Sequence, residues 1–207
     1  MDVKRIQGLP GKTETISSVV VNELDSSVKQ TQAIILSPAR EAAQTVYTLV
    51  SASAAASAIT VHISVGGTNI YEDMQRLKER PHIVVGTIGR TFAMLERKII
   101  YPSNLRILCV DGIHQLLGIT CENDFAEFCE QLPKDVEFVL LSIKTHYKTS
   151  HDLSGFFTRN PLHFLVKEDP APEPSAAISV APNQIEDTIR SVVKPVLKYV
   201  PPLTTEL

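Results

Sequence analysis

Short runs rich in Val, Ile and Leu recur along the first four fifths of the chain. Six of them predict β-strands, over residues 32–37, 59–65, 82–85, 106–111, 137–142 and 162–166. Strands with such a high apolar content are typically buried on both faces, as in a parallel sheet that lies between two layers of helices.

Helical periodicity fills the segments between these strands. It predicts helices over residues 13–24, 39–51, 69–80, 89–97, 122–132 and 151–158. The run SASAAASA at 51–58 either extends a helix or forms a loop, and periodicity does not decide between the two. Only the end of a first strand is expected, over residues 3–7. The alternation of strand and helix predicts an α/β fold, an open parallel sheet with helices on both faces.

The composition changes once, near residue 168. Seven of the thirteen prolines follow Asp169, and three of them alternate at 170, 172 and 174, which favours an extended linker. Residues 183–186 resemble a capping box that opens a short helix, which Pro195 ends or kinks. We therefore predict a domain over 1–168 and a Pro-rich linker with a short C-terminal helix over 169–207. That helix is either a marginal element of a solvated tail or a docking segment.

Composition and charge narrow the class of protein. The chain is 43% hydrophobic and 21% charged, and it shows neither an apolar run of membrane-spanning length nor a signal peptide, so we expect an intracellular protein without a membrane partner. A net charge of −3 argues against a strongly basic nucleic-acid binder, although local basic contacts stay open. The three cysteines, Cys109, Cys121 and Cys129, lack metal-ligand spacing and are predicted to be reduced packing residues.

In a sheet of this kind, ligands bind beyond the carboxyl ends of the strands. Polar or glycine-bearing segments follow the predicted strands at residues 37–41, 66–68, 86–90, 111–114 and 142–144. In addition, Gly11, Lys12 and Thr13 precede a helix and match the end of a phosphate-binding loop. The full G-x-x-x-x-G-K-[ST] spacing fails, because Ile6 occupies the position of its first glycine.

As an ordered set, these segments resemble the first RecA-like domain of the DEAD-box RNA helicases, and most of all the translation initiation factor 4A-like group. Residues 31–44 (TQAIILSPAREAAQ) are similar to motif Ia, and residues 65–71 (VGGTNIY) to the Gly-Gly segment. Residues 81–90 (PHIVVGTIGR) are similar to the Thr-Pro-Gly-Arg motif, with Ile88 in place of Pro, and 161–167 (PLHFLVK) to the closing strand. The resemblance covers residues 1–168 and implies a RecA-like fold of the P-loop NTPase class.

The resemblance also implies ligands and site residues. ATP would be held by Gly11, Lys12 and Thr13, with Mg²⁺ at Asp111 and Thr13, and Ser142 would be a remnant of the motif that couples hydrolysis to strand separation. Single-stranded RNA would be bound through its backbone, and a translation or RNA-processing protein is a further partner; nothing indicates a homo-oligomer. The expected RNA-binding residues are Pro38, Arg40, Gly66, Gly67, Thr87, Gly89 and Arg90.

Departures from the family pattern concern catalysis. Leu9 stands where the phosphate loop has glycine, and Gly112 replaces the Glu that positions the attacking water, so no catalytic residue is expected. Compared with the family, we expect neither the adenine-recognising segment, which would precede Met1, nor, in a tail of this length, the second domain that supplies an arginine finger. Losing a general base costs about 10²- to 10⁴-fold in rate, and losing the finger about 10³- to 10⁵-fold.

The leading hypothesis is therefore a degenerate single RecA-like domain that binds RNA, retains weak ATP and Mg²⁺ binding at most, and has little or no hydrolysis. One alternative is a helicase half or weak ATPase that needs a second domain in trans; another is a truncated product without function. For single sites, Gly66 and Gly67 could form only a turn, and Thr87 could be a helix cap beside a surface Arg90. A metal at Asp111 and His114 lacks a third ligand, and His62 and His82 are predicted to be satisfied core or edge histidines.

Overall fold

The computed structural model describes residues 3–7, 12–113, 115–116, 122–142 and 162–165. The chain divides into two compact units, Met1–Glu168 and Asp169–Leu207. The whole second unit lies outside the described residues, as do Cys121 and the helix predicted over 151–158. Within the described part, no helix is long and apolar enough to cross a membrane.

Seven strands form one sheet in which every neighbouring pair is parallel. They are ordered β3-β4-β2-β5-β6-β1-β7. Their bounds are β1 Val3–Gln7, β2 Ala33–Ser37, β3 Val61–Ser64, β4 Ile83–Thr87, β5 Ile107–Val110, β6 Glu137–Ser142 and β7 Leu162–Leu165. The six strands expected from the apolar runs are all present. The expectation of only a strand end at residues 3–7 is wrong, because β1 pairs along five residues with β6.

Besides the helical residues Ile113, Gln115 and Leu116, five α-helices and one 3₁₀-helix with described bounds accompany the sheet. They are α1 Lys12–Asn22, α2 Arg40–Ala54, α3 Ile70–Lys78, α4 Ile88–Glu96, the 3₁₀-helix Pro102–Asn104 and α5 Glu122–Glu130. The small-residue run at 51–58 is divided, since its first four residues complete α2. Ala54 is buried one turn beyond the buried Val50, so the apolar stripe of α2 reaches its last residue.

The core lies in two layers, one on each face of the sheet. In β2, Ile34 and Leu36 belong to one hydrophobic cluster with side chains of α3, α4 and α5, whereas Ala33 and Ile35 belong to a second cluster with α1 and α2. Successive side chains of a strand point to opposite faces, so a strand covered on both sides has no polar face. This arrangement confirms the predicted open sheet between two helical layers.

The cysteines of the described part are packing residues, as predicted. Cys109 and Cys129 are free and buried. Burial raises the pKa of both thiols, that of Cys129 to about 12, so both remain protonated at neutral pH. No cluster of three or more His, Cys, Asp or Glu side chains suited to a metal ion occurs among the described residues.

Candidate functional site

Two strand ends meet where Arg40 contacts the glycine pair. Arg40 begins α2, directly beyond the carboxyl end of β2, and Gly66 and Gly67 follow β3. The guanidinium of Arg40 fills the space that a Cβ at Gly67 would need, and it lies 3.9 Å from the corresponding position at Gly66. Gly67 also has a φ of +79°, which L side chains rarely adopt. The glycine pair therefore does more than turn the chain, because it lets a guanidinium rest on the backbone.

The same glycine pair is joined to the end of β4. The backbone N–H of Gly66 donates to Oγ1 of Thr87 at 3.4 Å. Thr87 occupies the N-cap position of α4, yet its side chain makes no capping hydrogen bond, so the interpretation of Thr87 as a helix cap is wrong. The hydroxyl is instead directed to the neighbouring loop.

Two of the helices that begin at this edge, α2 and α4, have no side-chain cap. The N-cap residue of α2 is Ala39, which has no side-chain oxygen, and that of α4 is Thr87. The first N–H groups of a helix have no partner within the helix, and with the helix dipole they favour an anion. Gly89, in the first turn of α4, has nothing within 4 Å of a Cβ position. A ligand backbone can thus approach this helix end closely.

Arg90 has a different environment from Arg40. Its Nη1 lies 2.8 Å from Oδ2 of Asp73, and its side chain is only 10% exposed. The guanidinium also donates to Oγ1 of Thr68 at 3.2 Å and to the Thr68 carbonyl at 2.9 Å. Arg90 is therefore neither a surface arginine, as the alternative with a capping Thr87 expected, nor a free cation. From the first turn of α4, Arg90 holds both the loop after β3, at Thr68, and α3, at Asp73, and its contact with RNA stays a prediction.

Asp73 is the centre of this cluster. In addition to Arg90, its carboxylate contacts Nε2 of His62 at 2.7 Å and accepts from Oγ of Ser64 at 2.9 Å. Burial raises the pKa of Asp73, but hydrogen bonds from His62, Arg90 and Ser64 outweigh that effect, and the pKa is lowered below its usual value. Asp73 is thus an ionised, buried anchor. The ring of His62, on the outer strand β3, has a hydrogen-bond partner in Asp73, as predicted for this histidine.

Sequence reasoning missed Asp73, although one signal was present. Asp73 lies on the helical face that also carries Ile70, Met74 and Leu77, and those three side chains belong to the core or pack against it. An acidic residue on such a face is buried only with partners. His62 and Ser64 of β3 and Arg90 of α4 are the partners that the topology supplies.

The end of β5 lies close to the end of β2. The backbone N–H of Asp111 donates to the Leu36 carbonyl at 2.8 Å. Gly112 is buried with a φ of +72°, and a Cβ there would lie 3.0 Å from Oε1 of Gln115 and 3.6 Å from Cγ of Pro38. The backbone has thus taken a conformation suited to glycine, and a side chain at this position would be strained. His114 lies outside the described residues.

The predicted nucleotide site is described only in part. Lys12 begins α1 and Thr13 follows it, but their side chains, Gly11 and the other residues of 8–11 lie outside the described residues. The backbone of Ser142 ends β6, and its side chain is likewise outside them. β6 separates β1 from β5, which places the β1 end about 10 Å from the β5 end that carries Asp111. Ser142 pairs with Gln7 between them.

The parallel sheet, its two helical layers and the polar loops at its carboxyl edge define a RecA-like domain of the P-loop NTPase class. Comparison with known proteins gives the family. The model of the DEAD/DEAH box helicases matches residues 10–143, and the chain belongs to this family. This confirms the family expected from the ordered motifs.

Curated relatives support the same assignment. The ATP-dependent RNA helicase eIF4A of Mycosarcoma maydis is 35% identical over 167 residues, which is 81% of this chain and 40% of the relative. Eukaryotic initiation factor 4A of Drosophila melanogaster is 32% identical over 167 residues, or 81% of this chain and 41% of the relative. The chain therefore spans about two fifths of the length of these relatives.

Solved structures share the fold at lower identity. A DEAD box protein from the hyperthermophile Methanococcus jannaschii superimposes with a TM-score of 0.71 at 21% identity, covering 78% of this chain and 44% of that one. Dbp5 of S. cerevisiae, in a structure bound to RNA and ADP BeF3, gives a TM-score of 0.69 at 20% identity, covering 80% and 42%. These likenesses confirm the RecA-like fold.

Proposed function

We propose that this DEAD-box helicase-like domain binds single-stranded RNA through the sugar-phosphate backbone, with little or no ATP hydrolysis. The observation that carries the proposal is the contact of Arg40 with Gly67, beside two helix N-termini that have no side-chain cap. An exposed guanidinium and free N–H donors are the groups that bind phosphate without reading bases.

The contacts available set the strength of this binding. Arg40 and the N-termini of α2 and α4 could neutralise two or three phosphates, with Pro38, Gly66, Gly67, Thr87 and Gly89 lining the approach. Arg90 contributes mainly by holding the loop, because Asp73 already neutralises it. We expect a Kd no tighter than tens of micromolar and a strong salt dependence, in the range of non-specific binding.

The proposed lack of hydrolysis rests on Gly112. Glycine at this position offers no oxygen to orient a water molecule, and its φ of +72° would strain a glutamate placed there. ATP with Mg²⁺ remains a proposed weak ligand of Gly11, Lys12, Thr13 and Asp111.

A second candidate function is an ATP-dependent helicase half that works with another domain in trans. It is favoured by the 35% identity to a relative named as an ATP-dependent RNA helicase, of which the chain spans about two fifths. By analogy with relatives named as initiation factors, a translation or RNA-processing protein in the cytoplasm or nucleus is the proposed partner.

RNA binding is tested by fluorescence anisotropy with labelled oligouridine across a salt series. Arg40→Ala should weaken binding several-fold and lower the salt slope by about 0.7, the value for one phosphate on a single strand. Lys134→Ala serves as a control because Lys134 is exposed in the turn before β6, at the opposite edge of the sheet. Equal binding by wild type and Arg40→Ala would contradict the proposal.

Turnover is tested by RNA-stimulated phosphate release. Wild type should match Lys12→Ala, and Gly112→Glu should not restore activity, since the φ of +72° at position 112 strains a glutamate placed there. Release by wild type well above Lys12→Ala would support the helicase-half function instead. Adding a second RecA-like domain in trans separates an inactive domain from an incomplete one.

A further inference from the structure

Two large apolar side chains are exposed in the described part of the chain, Tyr71 at 76% and Tyr101 at 54%. Single exposed aromatics are common on protein surfaces, so their surroundings decide what they mean. Tyr101 precedes the 3₁₀-helix that leads into β5, at the amino edge of the sheet, and the guanidinium carbon of Arg80 lies 5.6 Å from its ring centroid. A cation thus already faces the ring of Tyr101.

Tyr71 lies at the opposite edge, beside the proposed RNA contacts. It is in the first turn of α3, four residues beyond Gly67. Four residues of extended chain span at most about 14 Å, so the ring lies within a few nucleotides of a phosphate bound at Arg40. An aromatic face at this position adjoins the site that holds the backbone.

The backbone under Tyr71 is fixed although the ring is exposed. Its N–H donates to Oδ1 of Asn69, the N-cap residue of α3, at 3.0 Å. Thr68, three residues before Tyr71, is held at its carbonyl and its hydroxyl by Arg90, which is itself bound to Asp73. A side chain on a fixed backbone loses little freedom on binding a flat ligand, which is the condition for a stacking platform.

We propose that Tyr71 stacks on a base of the single-stranded RNA whose backbone contacts Arg40 and Gly67. This inference rests on the proposed RNA binding and adds a base-dependent contact to a site otherwise confined to phosphate. Stacking on an aromatic ring tolerates any sequence, because every base has a π-face, and it favours the larger purines.

The first experiment measures binding of the full chain to labelled oligoadenylate and to an abasic ribose-phosphate strand of equal length. Tyr71→Ala should weaken binding to oligoadenylate at least about fivefold and leave the abasic strand unchanged. Tyr71→Phe should bind both strands like wild type, and Tyr101→Ala should change the affinity for neither strand. Arg40→Ala should weaken binding to both.

The outcomes separate the two proposals. Equal oligoadenylate affinity for wild type and Tyr71→Ala, with Arg40→Ala still weakened, overturns stacking and leaves the RNA site in place. Absence of binding by wild type to either strand overturns both.

A second readout uses the absence of tryptophan from the chain. In the variant Tyr71→Trp the new residue is the sole tryptophan, and saturating oligoadenylate should quench its fluorescence. Tyr101→Trp, at the other edge, should keep its intensity. Unchanged emission at position 71 while anisotropy reports bound RNA would overturn stacking.

Discussion

Two arginines follow strands of the same sheet at the same edge, and each is in the first turn of a helix. Arg40 is exposed and rests on Gly67, whereas the side chain of Arg90 is 10% exposed and paired with Asp73. The difference arises from α3, which places a carboxylate within reach of Arg90. An arginine of a motif can therefore stay exposed or be held within the fold, and the neighbouring elements decide which.

The sharpest way to test this comparison is to remove the carboxylate. Asp73→Ala would leave the Arg90 guanidinium buried without its counter-ion, and the free energy of unfolding should fall by about 3 to 5 kcal/mol. Arg40→Ala, at the exposed member of the pair, should change it by less than about 0.5 kcal/mol. Urea denaturation of both variants and wild type measures the difference. Similar stability losses in the two variants would show that the arginines are equivalent.

A smaller effect is expected at the glycine under Arg40. Gly67→Ala places a Cβ at a φ of +79° and displaces the guanidinium, so it should cost about 1 to 3 kcal/mol of stability and weaken RNA binding. Gly89→Ala is the matched control. Its Cβ meets nothing within 4 Å, and alanine in a helix is favoured over glycine by up to about 1 kcal/mol. Thermal unfolding that ranks the two variants in the opposite order would contradict this account of the site.

The smallest expected effect is the pH dependence of the stability that Asp73 contributes by pairing with Arg90. The pKa of Asp73 is lowered in the folded protein, so its ionised form contributes stability above the usual carboxyl range, and that contribution is lost as the pH falls through the folded pKa. The stability difference between wild type and Asp73→Asn should therefore be constant near neutral pH and shrink on acidification below about pH 4. Chemical denaturation at a series of pH values measures it. A difference that grows on acidification would assign the opposite sign to the Asp73 interactions.

The sequence by itself determined the fold class, six of the seven strands and the family, because these depend on local runs of apolar residues and on short motifs. Strands buried on both faces leave a strong signal, and motif order is read directly along the chain. β1 was underestimated because its VKRIQ sequence carries two cations and a glutamine, and only pairing with β6 and β7 makes it a strand.

Only the tertiary structure decided which site residues contact one another and which remain exposed. Asp73 and Arg90 lie 17 positions apart on different helices, and Arg40 and Gly67 lie further apart still, so their contacts depend on the order of β3, β4 and β2 in the sheet. The positive φ of Gly112 is likewise absent from any local pattern, and a Cβ there would lie beside Gln115 and Pro38, which belongs to a distant segment. The motifs identify the residues at the carboxyl edge of the sheet, whereas the packing between distant segments determines which of them are exposed to a ligand.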